Sequence, residues 1–399
     1  MTARAGTAAD TAIVGIGATE FSKNSGRSEL RLAAEAVRAA LDDAALTPAD
    51  VDGLVTFTMD GNAEIAVARE LGIPGLSFFG QVGYGGGAAC ATVQHAAMAV
   101  ATGAASVVVC YRALNERSGR RFGRVAAGAT ATPTTSGVDN GWHYPMGIAT
   151  PAATVAMVAR RYMHEFGVTS EDLAEVAVTH RYHATLNPAS VMGRRGPVTV
   201  ADVIGSRMVC DPLHLLDCAI DNDGGYAIVI AAEDVARDCR KPPVWVLGGA
   251  EATYTDAYTT IDVPWFPEDG KAVRRTADMA FQIAGVSRDD IDVGGLYDCF
   301  TVTMLRDLEE MGFCKLGEGA DYVKEGHLRL GGSMPTNTDG GLLSNSHCGD
   351  PSGMHTIEVV RQLRGECGAR QVPNARIGVS LQQGWAVHGM ASTLIMAAD

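Results

Sequence analysis

Late in the chain, "NTDGGLLSNSHCGDPSGM" (residues 337–354) sets His347 beside Cys348 between two glycine-rich turns. Those residue types can form a nucleophile with its base or ligate a metal, and the histidine can also act alone on protons. Adjacent residues on a turn point their side chains apart, which argues against a Cys–His pair. No H-x-x-x-H or carboxylate–histidine spacing surrounds them, which argues against a metal. What remains is an acid, base or oxyanion role for His347 without the cysteine, or a plain structural histidine. A second candidate, Tyr297, ends the apolar run in "GLYDCFT". A free phenol titrates near about pH 10, so as a base it needs a helper, and His347 is the natural one. Asp298, next in line, can orient a donor or cap a turn. A third candidate is "YGGGAAC" (residues 84–90), where Gly85, Gly86 and Gly87 permit close backbone approach and the helix that follows offers N–H groups. Tyr84 would line such a pocket. Cys90, one turn into the helix, reads as a small buried hydrophobe.

The elements that must carry these residues occur twice. "TAIVGIGATEF" reads as a strand and "SELRLAAEAVRAALDDAAL" as a helix, with Leu30, Ala33, Ala34, Val37 and Leu41 on one face. "TPADVDGLVTF" follows, with Thr47 an N-cap before Pro48 and "GLVTF" a buried strand. The same order returns in "PVWVLGGAEATY", "KAVRRTADMAFQIAG" and "VSRDDIDVGGLYDCF", and Asp50-Val51-Asp52 is echoed by Asp290-Ile291-Asp292. This is a duplication, with halves at residues 1–243 and 244–399. Alternating strands and helices make the fold α/β, and continuous apolar strands such as "SVVVC" imply a sheet covered on both faces. The first half carries a loop insertion at about 112–205, beginning in the glycine-rich, locally basic "RALNERSGRRFGRVAAG". A smaller interruption at 251–268 holds Tyr254, Tyr258 and Trp265. "GIGATEF" lacks the third glycine of a dinucleotide fingerprint.

Composition narrows the function. A net charge of −14 over 399 residues disfavours nucleic acid and anionic membranes, which select basic surfaces. An acidic enzyme with an anionic substrate needs a local basic patch or a partner that supplies one. The nine cysteines include no C-x-x-C pair and read as reduced thiols. No secretory leader is evident and no apolar run is long enough to span a membrane, so the expected location is cytoplasmic.

The two like halves, the small-residue helix after "YGGGAAC" and the late glycine–histidine turn together resemble the thiolase superfamily. Within it the chain is most similar to the lipid-transfer-protein branch, specifically the steroid side-chain-cleaving aldolases. "VGIGATEFSKNSGRSELRLAAEAV", "FTMDGNAEIAVARELGI", "YRALNERSGRRFG" and "LYDCFT" carry the likeness. The resemblance implies a five-layered α-β-α-β-α fold of duplicated halves. It also shows what is missing. The nucleophilic cysteine's place falls at about Gly86, the proton-shuttling cysteine's place in "SLQQGWA" at Gln382, and the family's Asn-Glu-Ala-Phe becomes Tyr297-Asp298-Cys299-Phe300. His347 takes the place of the Gly-His-Pro histidine, where these aldolases carry a tyrosine.

A frame without a nucleophile suits retro-aldol cleavage of a β-hydroxyacyl-CoA, in which the thioester itself accepts the electrons and no other cofactor or metal is needed. Tyr297 and His347 are then the catalytic pair. Tyr84, Gly85, Gly86, Gly87, Asp298 and Gln382 are expected around the substrate, a steroid acyl-CoA that would yield a steroid ketone and a short acyl-CoA. The resemblance further implies a homodimer and an OB-fold subunit of the domain-of-unknown-function-35 type. The competing readings are a thiolase-like acyltransferase with an atypical nucleophile and a non-catalytic lipid-carrier or scaffold subunit.

Overall fold

The first strand, β1 (Thr11–Ala18), is buried on both faces, with Ala12 and Val14 in one apolar cluster and Ile13 and Ile16 in another. The helix α1 (Glu29–Ala44) lies against it, started by the Ser28 hydroxyl, which accepts from the Arg31 N–H, and ended at Ala45 in the left-handed conformation. Gly15 and Gly17 explain the close approach. A Cβ on either would stand 2.1 Å from the Ala40 carbonyl oxygen or 2.4 Å from the Ala40 nitrogen. The "GIG" pattern therefore serves helix-to-strand packing. In this computed structural model the described residues are 11–57, 61–83, 87–119, 144–148, 150–253, 271–347, 353–384 and 390–399.

The remaining strands are β2 (Gly53–Phe57), β3 (Phe78–Val82), β4 (Val107–Asn115), a small ribbon of β5 (Met208–Cys210) and β6 (Leu213–His214), β7 (Asp223–Ala232), β8 (Val244–Thr253), β9 (Val293–Leu296), β10 (Ile377–Gln383) and β11 (Met390–Ala398). Nine of them join in the order β3-β2-β4-β7-β1-β8-β11-β10-β9. Read outward from the centre, β1-β7-β4-β2 on one side repeats as β8-β11-β10-β9 on the other. The halves meet antiparallel at β1 and β8 through only two residue pairs, Ala12↔Trp245 and Ile13↔Val244. The edge strand β3 has no equally long counterpart among the described residues. Its place in the second half is held by a single parallel bridge, Gly294↔Thr336.

The paired aspartates show why the echo exists. Asp50 accepts from the Thr47 N–H at 2.8 Å and Asp290 from the Ser287 N–H at 2.7 Å, each closing a one-turn 3-10 helix. Asp52 then takes the N–H of Val107 at 2.8 Å, and Asp292 that of Ile377 at 2.9 Å, fixing where β4 and β10 begin. Each motif builds a turn and ties it to the next parallel strand.

The layers follow from what each helix buries. α1 covers the outer face of the first-half strands, and helix Lys271–Ala284 does the same for the second. Between the sheets lie α3 (Ala88–Ala101) and helix Gly353–Leu363, whose apolar residues share one cluster with strands from both halves. The order is α-β-α-β-α. Between β4 and β7, where the second half has only the short β10–β11 connection, the chain inserts helices Pro151–Phe166 and Ser170–Thr185 together with the small ribbon.

Candidate active site

Tyr297 leaves the end of β9, and Gln382 lies near the end of β10. The two strands run parallel with Leu296 opposite Leu381, so Tyr297 and Gln382 are the residues that directly follow the last pair. Both are buried, Tyr297 at 4% exposure and Gln382 at 0%. Two positions assigned to the site from 85 residues apart in the chain thus come together at one strand end.

Asp298 follows Tyr297 and is enclosed. Its side chain has 0% exposure, and both carboxylate oxygens are engaged. Oδ2 accepts from His180 Nδ1 at 2.7 Å, and Oδ1 from His355 Nε2 at 3.0 Å and from the Leu342 N–H at 2.8 Å. Of the readings open to this residue, the geometry has it orienting the two imidazoles and the Leu342 N–H. Gly341 makes the approach possible. Its backbone is left-handed at φ 59°, and a Cβ there would stand 2.2 Å from Asp298 Oδ2. Burial pushes the Asp298 carboxyl up, but the imidazoles of His180 and His355 outweigh it and hold the group well below the usual carboxylate range. His355 reaches in turn to Gln382, Nδ1 to Nε2 at 2.9 Å.

The short helix Gly341–Ser344, whose Leu342 N–H meets Asp298, leads directly to His347. The His347 N–H donates to Asn222 Oδ1 at 2.7 Å, and the Asn222 N–H donates to the His347 carbonyl at 3.3 Å. The imidazole Nδ1 lies 3.1 Å from Glu116 Oε2, a carboxylate with 1% exposure just beyond β4. A histidine held by a buried carboxylate has a fixed ring orientation and a stabilised imidazolium, as proton transfer requires.

Of the glycine run, Gly87 is buried against Gly384 and Met390, where an added Cβ would sit 3.2 Å from the Gly384 nitrogen. Tyr84, Gly85 and Gly86 lie outside the described residues, as do Cys348, the basic loop beyond Gly119, and Tyr254, Tyr258 and Trp265. Cys90 is fully enclosed, its thiol donating to Ser380 Oγ at 3.4 Å, and burial pushes it up to about 11. It is no nucleophile at neutral pH.

A cavity of about 510 Å3 opens beside the His347 loop, lined by Phe21, Asn187, Arg194, Asn345, Met354 and Arg361 among others. It draws on both halves and on the insertion. Among the described residues no group of three or more His, Cys, Asp or Glu side chains could hold a metal ion, and no helix is long and apolar enough to cross a membrane.

Glu116, Asn222, His180 and His355 carry this geometry and were not assigned from sequence. The histidines of "THRYH" and "SGMHT" and the glutamate of "NERSG" were visible as residue types, but nothing in their spacing paired them with Asp298 or His347.

Comparison with known proteins agrees with this architecture. Residues 11–234 match the thiolase N-terminal domain and residues 267–398 the thiolase C-terminal domain-like family. The chain is 51% identical to the 17-hydroxy-3-oxo-4-pregnene-20-carboxyl-CoA lyase of Mycobacterium tuberculosis, covering 89% of this chain and 91% of that protein. It is 50% identical to the steroid side-chain-cleaving aldolase of Thermomonospora curvata, over 89% and 90% respectively. The solved Ltp2-ChsH2(DUF35) aldolase superposes with a TM-score of 0.91 at 46% identity, covering 98% of this chain and 99% of that one. Human mitochondrial 3-ketoacyl-CoA thiolase shares the fold, with a TM-score of 0.68 at 16% identity over 98% of each chain. With both thiolase domains present in order and half its residues shared with steroid-cleaving relatives along most of its length, this chain belongs to the thiolase superfamily, in its branch of steroid side-chain-cleaving aldolases.

Proposed function

We propose that the protein is a carbon–carbon lyase that cleaves a β-hydroxyacyl-CoA steroid side chain by a retro-aldol reaction. The observation that carries the reading is that Tyr297 and Gln382 directly follow the last paired residues of two parallel strands, while Cys90, the thiol of the small-residue helix, is locked in the core. Proton-transfer groups are present where an acyl-accepting cysteine is not.

In this mechanism Tyr297, aided by the His347–Glu116 pair, takes the proton of the β-hydroxyl. The Cα–Cβ bond breaks, the oxygen becomes a ketone, and the bond's electrons pass into the thioester as an enolate. Reprotonation at Cα releases the acyl-CoA. Fixed dipoles around the enolate oxygen supply much of the acceleration. With 17-hydroxy-3-oxo-4-pregnene-20-carboxyl-CoA, the compound in the name of the Mycobacterium relative, the hydroxyl is β to the thioester. The products would be a 17-ketosteroid and propionyl-CoA; a side chain one carbon shorter would give acetyl-CoA. Arg194 and Arg361 in the shared cavity are suited to the CoA phosphates in an otherwise acidic chain.

A DUF35 subunit is the expected partner, by analogy with the superposed aldolase complex. A second copy of the chain is proposed at the β3 edge, where Phe79 is 67% exposed on a strand with one free side. Enclosure by the partner would exclude water and strengthen the electrostatics of the site.

The test is propionyl-CoA release from that thioester, with and without the DUF35 subunit. Wild type should be weak alone and strongly activated by the partner. Tyr297→Phe, which removes one hydroxyl, should lower kcat by about 10²–10⁴ in the complex while remaining folded. Wild-type turnover in the folded variant, or no cleavage by the wild-type complex, overturns the reading.

A further inference from the structure

Hydrogen bonds run in a row from Asp298 through His355 to Gln382. A carboxylate accepts and never donates, so His355 must present Nε2–H to Asp298. With that proton on Nε2, His355 Nδ1 lies 2.9 Å from Gln382 Nε2 and accepts its N–H. With the amide nitrogen committed to His355, Oε1 is the end of the side chain left to meet another group. That oxygen is buried and has no hydrogen-bond partner among the described residues, as is rare for a buried acceptor without a ligand to meet it. It stands on the β10 residue that neighbours Tyr297 across the strands. His180, on the far side of Asp298, keeps the carboxylate ionised and centred, so the direction of the row is set at its origin.

We propose that Asp298 and His355 are positioning residues that fix the polarity of the Gln382 amide, and that Gln382 Oε1 is a specificity-determining acceptor for the substrate's β-hydroxyl proton. The proposal rests on the retro-aldol reading and adds the group that recognises a hydroxyl as a donor. A side chain with hydrogen in place of that hydroxyl leaves the acceptor unpaired, and a site built around a hydrogen bond rejects such an analogue. No bond is made or broken by Gln382 itself. It holds the O–H in the direction from which Tyr297 removes the proton.

The experiment is a binding cycle between one substrate group and one side chain. Affinities are measured in the complex with the DUF35 subunit, in a Tyr297→Phe background so that nothing is consumed. The probes are 17-hydroxy-3-oxo-4-pregnene-20-carboxyl-CoA and the same thioester lacking the 17-hydroxyl. The background protein should prefer the hydroxylated thioester by about tenfold, the worth of one hydrogen bond. Gln382→Leu, nearly the same size without the acceptor, should reduce that preference to within about twofold. His355→Gln keeps a donor for Asp298 but loses the contact that orients Gln382, so it too should erase the preference, and the double variant should be no worse. Retained preference in Gln382→Leu overturns the acceptor role. Retained preference in His355→Gln, or independent effects that multiply in the double variant, overturns the relay. Thermal unfolding of each variant separates loss of polarity from loss of fold. Absent cleavage by the wild-type complex would refute the lyase reading alone, because this cycle reads binding.

Discussion

Cys90 and Asp298 are both sealed from solvent, and the contrast between them shows what decides the chemistry of a buried group. Around Cys90 stand hydroxyls and aliphatic carbon, and burial pushes the thiol up to about 11, where it keeps its proton. Around Asp298 stand two imidazoles and a backbone N–H, and burial loses to them, so the carboxyl stays ionised. The same desolvation yields an inert residue in one place and a fixed charge in the other, because only the second is given donors that favour its charged form. Thiolase chemistry needs an exposed, activated thiol; this site invests its polar groups in a carboxylate that orients histidine and amide instead.

The comparison is most directly broken at Asp298. Asp298→Asn keeps the shape but leaves one amide N–H2 facing a donor and removes the charge between two histidines. Breaking a buried pair in this way should cost about 3–5 kcal/mol in urea unfolding at neutral pH. The sign with pH is set by the depressed carboxyl. Folding favours its ionised form, so the contribution is complete above the unfolded-state value of about 4 and is lost as the pH falls below it. The stability gap between wild type and Asp298→Asn should therefore narrow at low pH; a gap that widens would contradict the assignment.

Glu116→Gln is a smaller intervention at the other carboxylate. The amide can still hold the His347 ring but no longer stabilises an imidazolium, so kcat should fall by about tenfold to a hundredfold with KM little changed. Steady-state cleavage by the complex checks this, and equal losses in kcat and KM would point to substrate binding instead.

Cys90→Ala should do least. Activity should stay within about tenfold of wild type, with a stability loss of about 1 kcal/mol from the small void. Intact mass during turnover should show no acyl adduct on Cys90, and iodoacetamide should leave that thiol unmodified in the folded protein. An adduct there would erase the contrast altogether.

How much of this was legible depends on whether the determining contact is local. The duplication was readable because Asp50 and Asp52, like Asp290 and Asp292, act on turns and strand starts that sit in fixed order around them. Tyr297, His347 and Gln382 could be singled out because each stands at a recognisable place in the family's pattern. Asp298 could be read as a substrate contact, an orienting group or a cap, since a carboxylate at a strand end looks the same in sequence whether solvent or imidazole awaits it. Glu116 and His347 are 231 residues apart, and His180 and Asp298 are separated by 118. Topology makes such pairs, and no short-range periodicity records them.

The central seam carries a consequence for how the chain is made. β1 is completed by β7 and β8, about two hundred residues further on, and it belongs to the middle of the nine-stranded sheet. On a ribosome adding about 5–20 residues per second, the apolar "AIVGIGA" waits some ten to forty seconds before either strand partner has been synthesised. During that time α1 can screen only one face of a strand that ends buried on both. Nascent chains of this protein should therefore depend on a holding chaperone until β7 emerges, and the insertion between β4 and β7, which brings the His180 helix to the site, sets the length of that dependence.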